Sequence, residues 1–88
     1  MIEKIFTIKN KLGLHARPAA MFVMAATKFK SKVRVIRGDQ EIDGKSIMGL
    51  MMIAAEYGAK LNIIIDGDDE HDLLKEISSL FERKFDED

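Results

Sequence analysis

The sequence predicts an α+β domain, with helices packed on one face of an antiparallel sheet in the order βαββαβα. Three observations lead there. Two short runs separated by a Gly-Asp pair, Lys32–Arg37 and Gln40–Asp43, have the form of a hairpin. Runs near either end of the chain alternate apolar and polar residues as half-buried strands do. Between and after them lie segments whose apolar residues recur at helical spacing. With 88 residues, a single domain spanning 1–88 is expected.

Taken in order, Ile2–Ile8 reads as a strand, with Ile2, Phe6 and Ile8 against Glu3 and Thr7. Asn10–Gly13 is a loop. Pro18, the only proline, suits the first turn of a helix, so a helix should begin at Ala16 to Pro18 and run to about Phe29. In the hairpin, Val33 and Val35 point inward. Ser46 stands where a helix N-cap belongs, ahead of Ile47–Ile53, and Gly58 is expected to stop that segment. Lys60–Asp66 is a strand with Leu61, Ile63 and Ile65 on one face. After a turn at Asp66–Asp69, Leu73, Leu74, Ile77, Leu80, Phe81 and Phe85 keep a helical spacing. Asp68, Asp69, Glu70 and Asp72 crowd the start of that helix, where its dipole favours negative charge.

Composition excludes several function classes. Hydrophobic residues make up 47% and charged residues 33%, an ordinary globular balance. There is no cysteine, which removes disulfides, thiol nucleophiles and thiolate metal sites. Two histidines, His15 and His71, are too few for a metal site built mainly from histidine. His71 lies in an acidic stretch, DDEHD, and reads as a surface residue. The net charge of −1 argues against a nucleic-acid binder. Residues 1–45 nevertheless carry ten Lys/Arg and four Asp/Glu, and residues 46–88 carry four and eleven. The basic half contains His15, and the acidic half is expected to lie away from it. The apolar runs Ala19–Ala26 and Ile47–Ala55 fall short of the roughly 18 residues of a spanning helix. With no export signal and no cysteine, a cytoplasmic location is expected.

Two helices carry more apolar surface than one core face uses. In the first, Ala19, Phe22, Val23, Ala26 and Phe29 form a core stripe, leaving Ala20, Met21, Met24 and Ala25 opposite. In the second, Ile47, Met48, Leu50, Met51, Met52 and Ile53 cannot all point inward over two turns. Met21, Met24, Met48 and Met51 fall at the surplus positions, and flexible methionine suits a surface that meets several partners.

The sharpest constellation is Gly13-Leu14-His15-Ala16-Arg17-Pro18. His15 lies just before the helix start, where the free amides of Ala16 and Arg17 and the positive end of the helix dipole form an anion site. Arg17 can fork onto phosphate oxygens. Gly13 lets the loop bend tightly. Imidazole is a competent nucleophile at neutral pH, so this combination suits reversible phosphoryl transfer. No second general acid or base, no metal cluster and no nucleotide-binding glycine loop is legible near it, which disfavours an enzyme with its own small-molecule pocket.

The run KLGLHARPAA followed by KSIMGLMM resembles the HPr family, the histidine-containing phosphocarriers of the bacterial phosphoenolpyruvate-dependent phosphotransferase system, over essentially the whole chain. The resemblance implies an open-faced β-sandwich: a four-stranded antiparallel sheet with three helices on one face. It implies that His15 accepts a phosphoryl group on Nδ1 from enzyme I and donates it to the IIA domains of sugar permeases. Arg17 then helps hold the phosphate, and Ala20, Met24, Ile47, Met48 and Met51 match the surfaces that dock partners. Ser46 matches the family's regulatory serine, modified in many Gram-positive bacteria by an HPr kinase/phosphorylase, with a catabolite-control transcription factor as a further partner. No cofactor, metal, nucleic acid or membrane insertion is implied, and a monomer is expected.

The chain departs from common family patterns at Leu12, Met21, Met24 and Met52. These differences bear on the partner set and not on the chemistry. NKLGLHARPA and the ending FDED are also similar to the nitrogen-branch relative, which feeds a regulatory IIA protein, whereas KSIMG favours the sugar branch. A third reading is a regulatory adaptor that binds a transcription factor through the second helix and is switched at Ser46.

Overall fold

The computed structural model describes residues 1–87. Its elements are β1 (Ile2–Thr7), α1 (Ala16–Thr27), β2 (Lys32–Arg37), β3 (Gln40–Asp43), α2 (Ile47–Ile53), β4 (Lys60–Asp66) and α3 (Glu70–Glu82), followed by a short 3-10 turn, Lys84–Asp86. The four strands form one antiparallel sheet in the order β1-β4-β2-β3. This is the open-faced βαββαβα arrangement expected from the sequence. Among the described residues, no helix is long and apolar enough to cross a membrane.

Strand register follows the pleat. Phe6 pairs with Leu61, and Ile63 and Ile65 of the central β4 pair with Val35 and Val33 of β2. Successive side chains alternate faces, so these residues share the helix-facing side. All are buried, and they meet Phe22, Ala26, Leu73, Ile77 and Phe81 from the helices. Phe81 is the hub of an aromatic group, stacked on Phe6 at 4.7 Å and edge-on to Phe22 and Phe85 at 6.4 and 5.1 Å. Such offset and T-shaped pairs contribute beyond the area they bury. The other face carries Glu3, Ile5, Arg34, Ile36, Asn62 and Ile64 in register across three strands, and these side chains lie outside the core cluster.

Four local readings need correction. Helix α1 ends at Thr27, short of Phe29, and Ala25 is buried instead of lying on the outer face. Helix α2 is stopped by Ala54, not Gly58: Ala54 takes the left-handed conformation (φ 50°, ψ 44°) and its N–H donates to the Met51 carbonyl. This motif normally selects glycine, which lacks the Cβ that crowds that conformation. Phe85 is buried as its spacing suggested, but not on a helix. Helix α3 ends at Glu82, and Lys84, Phe85 and Asp86 all have positive φ (55°, 53° and 59°). This left-handed reversal drives Phe85 back into the core at 0% exposure.

Candidate functional site

His15 is the N-cap of α1, with extended backbone (φ −83°, ψ −170°), and its side chain makes no capping bond. Its carbonyl accepts the first helical hydrogen bond, from the Ala19 amide at 3.0 Å. Pro18 has no N–H to offer. Among the described residues, the Ala16 and Arg17 amides donate to no protein acceptor. Two orphan donors thus stand at the positive end of a twelve-residue helix, beside an imidazole that is partly exposed. Arg17 is exposed and forms no ion pair among the described residues.

The loop before His15 is built by close packing. Gly13 has φ 73°, and a Cβ there would lie 2.5 Å from the Ala55 carbonyl oxygen. The next amide, of Leu14, donates to that same oxygen at 2.8 Å. Asn10, fully buried, braces the loop through Nδ2, which donates to the Gly13 carbonyl at 2.7 Å. The loop is therefore pinned to the segment following α2.

One partner of His15 escaped sequence reasoning. Glu87 Oε2 lies 2.7 Å from His15 Nε2, and the other carboxylate oxygen, Oε1, accepts from Asn10 Nδ2 at 2.9 Å. The Glu87 side chain is only 11% exposed. The expectation that the acidic half lies away from His15, and that no acid or base accompanies it, is thus wrong at this residue. The left-handed turn at Lys84–Asp86 is what returns the chain to the loop. No local pattern links residues 72 positions apart; the sole sequence signal was the acidic run FDED itself.

The expected docking residues divide into two sets. Leu12, His15, Ala16, Met51 and Ala54 line one shallow depression. Met48 (75% exposed), Ile47 and Met52 are exposed on α2, and Leu12 (76%) and Tyr57 extend the exposed apolar surface. Met21 and Met24 line a different groove, between α1 and α3, with Lys28, Glu76 and Leu80. Met24 is exposed there, whereas Ala20 and Met21 are half-buried. Ser46 caps α2: its Oγ accepts from the Gly49 amide at 3.0 Å. It is half-buried, while His71 is exposed and takes no part in this surface.

A family model described as the phosphotransferase-system HPr component phosphorylation site matches residues 2–83. The chain belongs to the HPr family. Phosphocarrier protein HPr of Xylella fastidiosa is 44% identical over 88 residues, covering 100% of this chain and 99% of the relative. A crystal structure of HPr from Thermoanaerobacter tengcongensis aligns over 100% of this chain and 99% of its own, with a TM-score of 0.95 and 43% identity. The HPr-like protein Crh of Halalkalibacterium halodurans is 37% identical over 84 residues, covering 96% of this chain and 100% of the relative. HPr proteins are phosphocarriers, so the family and fold expectations hold. Glu87 lies beyond the residues the family model matches.

Proposed function

We propose that this chain is the phosphocarrier of a sugar phosphotransferase system, taking a phosphoryl group from enzyme I onto His15 Nδ1 and passing it to IIA domains. The observation that carries this reading is the pairing of His15 with two unpartnered amides, those of Ala16 and Arg17, at one helix start. The ring nitrogen's lone pair attacks phosphorus while the bond from phosphorus to its donor breaks, and the donor keeps the electron pair. The two amides and the Arg17 guanidinium supply donors for the phosphoryl oxygens. Transfer onward is the same step in reverse, so the site needs no cofactor. It acts in the cytoplasm, where the donor enzyme and the permease domains meet.

The exposed residues Ile47, Met48 and Met51 on α2, and Ala20, Met21 and Met24 on α1, make up the two partner-facing patches of this reading. Ser46 is its regulatory position. A dianionic phosphate on its Oγ would set negative charge next to Ile47 and Met48 and disfavour apolar or acidic partners. The test is incubation with phosphoenolpyruvate and enzyme I: an acid-labile phosphate should appear on the protein and be absent from His15→Ala. Label retained by His15→Ala would overturn the assignment. Incubation with ATP and HPr kinase/phosphorylase should give acid-stable phosphate that Ser46→Ala abolishes. Activity toward the nitrogen-branch IIA protein, with none toward sugar permease IIA domains, would reassign the branch.

A further inference from the structure

We propose that Glu87 is a positioning residue for His15, fixing the ring tautomer so that Nδ1 carries the reactive lone pair. The inference deepens the phosphocarrier reading and rests on it for its consequence in transfer. Asn10 Nδ2 can only donate, so the Glu87 oxygen facing it is an acceptor. The other Glu87 oxygen faces His15 Nε2 at 2.7 Å. A carboxylate ion there accepts at both oxygens, which makes Nε2 the N–H of the neutral ring and leaves Nδ1 unprotonated. Nδ1 is bonded to Cγ and is the ring nitrogen nearer the main chain, where the Ala16 and Arg17 amides lie.

The contact is built into the fold by three further features. Asn10 is fully buried and holds Glu87 and the Gly13 carbonyl with the same amide nitrogen. Phe85, also fully buried, anchors the turn against Phe81. The turn itself runs through three successive non-glycine residues of positive φ, a conformation that persists only when its surroundings over-determine it.

The chemistry follows without moving a proton. When Nδ1 attacks phosphorus, both ring nitrogens become substituted and the ring turns cationic, with its remaining N–H directed at the Glu87 carboxylate. That negative charge stabilises the phosphorylated ring. When an acceptor takes the phosphoryl group, the electron pair returns to Nδ1 and the original tautomer is restored. A second group orienting an imidazole in this way recurs wherever histidine acts as base or ligand.

The experiment reads the tautomer directly, by long-range proton–nitrogen correlation on the nitrogen-15-labelled, unphosphorylated protein in mildly alkaline buffer. In the wild type, Nε2 should resonate as a protonated nitrogen and Nδ1 as an unprotonated one. Glu87→Ala should raise the Nδ1–H share, and Glu87→Asp should recover part of the wild-type pattern. Phosphoryl transfer from enzyme I should fall about tenfold in Glu87→Ala. An unchanged tautomer distribution in a folded Glu87→Ala protein would overturn the proposal. If that variant fails to fold, the near-isosteric Glu87→Gln gives the same readout, and an unchanged rate in it would count equally against a role for the charge. Absence of any phosphate on wild-type His15 would refute the phosphocarrier reading instead, while the nitrogen spectra would still decide the role of Glu87.

Discussion

Asp69 accepts two hydrogen bonds from Ser31 at one carboxylate oxygen, one from its backbone N–H at 3.0 Å and one from its hydroxyl. The other oxygen accepts from the Lys30 amide at 2.8 Å. Although Asp69 is the N-cap of α3, its side chain makes no capping bond. It ties the chain entering β2 to the turn that leaves β4.

These donors, the Ser31 hydroxyl foremost and the Lys30 N–H next, hold the Asp69 carboxyl below the usual carboxylate range. A group depressed in the folded state contributes stability in full above its unfolded pKa, and loses it as pH falls through the folded value. Asp69→Ala should therefore lower the urea midpoint near pH 7, and the gap to the wild type should narrow in acid. A gap of the same size below about pH 3 would show that the carboxylate's ionised form is not what matters.

Gly13→Ala should destabilise the fold by about 2 kcal/mol, since it combines a strained φ with a contact that backbone must yield. Chemical denaturation should show a lower midpoint at an unchanged slope. Phosphoryl transfer should suffer as well, because the same loop carries His15.

Ala54→Gly should do the opposite and add about 0.5 to 1 kcal/mol. Ala54 is exposed, so the substitution removes crowding at a left-handed position without opening a cavity. A thermal midpoint at or below that of the wild type would argue against strain there.

Phe85→Ala should cost about 3 to 5 kcal/mol, the range for removing a buried aromatic ring. In any fraction that remains folded, the His15 ring nitrogens should shift toward the spectrum of Glu87→Ala. Loss of stability with unaltered ring nitrogens would mean that the turn does not depend on Phe85 to deliver Glu87.

Met48→Asp should leave stability within about 0.5 kcal/mol, as exposed positions do. Binding to enzyme I, followed by titration calorimetry, should weaken at least tenfold if this methionine lies in the docking face. Wild-type affinity would remove Met48 from that face.

Much of this fold could be read in advance because its signals are local. Val33, Val35, Leu61, Ile63 and Ile65 declare their strands by period alone, and Ser46 and Pro18 mark helix starts through their own bonding capacity. The readings that failed share a cause. A phenylalanine four positions beyond Phe81 has the same spacing whether the helix continues or the chain reverses and sends the ring home. Left-handed residues without glycine, at Ala54 and at Lys84–Asp86, carry no compositional mark because packing imposes them. His15 and Arg17 stood out through their position against Pro18, whereas Glu87 resembled any acidic residue of a solvated tail until the fold brought it to Asn10 and His15.

The His15–Glu87 contact closes a circuit of 72 positions. A ribosome that has released α1 and the whole sheet has still not completed the surroundings of that histidine, because Glu87 emerges afterwards. A chain interrupted before this point could form every strand and every helix and still present an imidazole free to turn. Assembly of the reactive ring therefore waits on residues that follow the whole sheet and all three helices, and a nick between Phe85 and Glu87 would undo it while sparing the sheet.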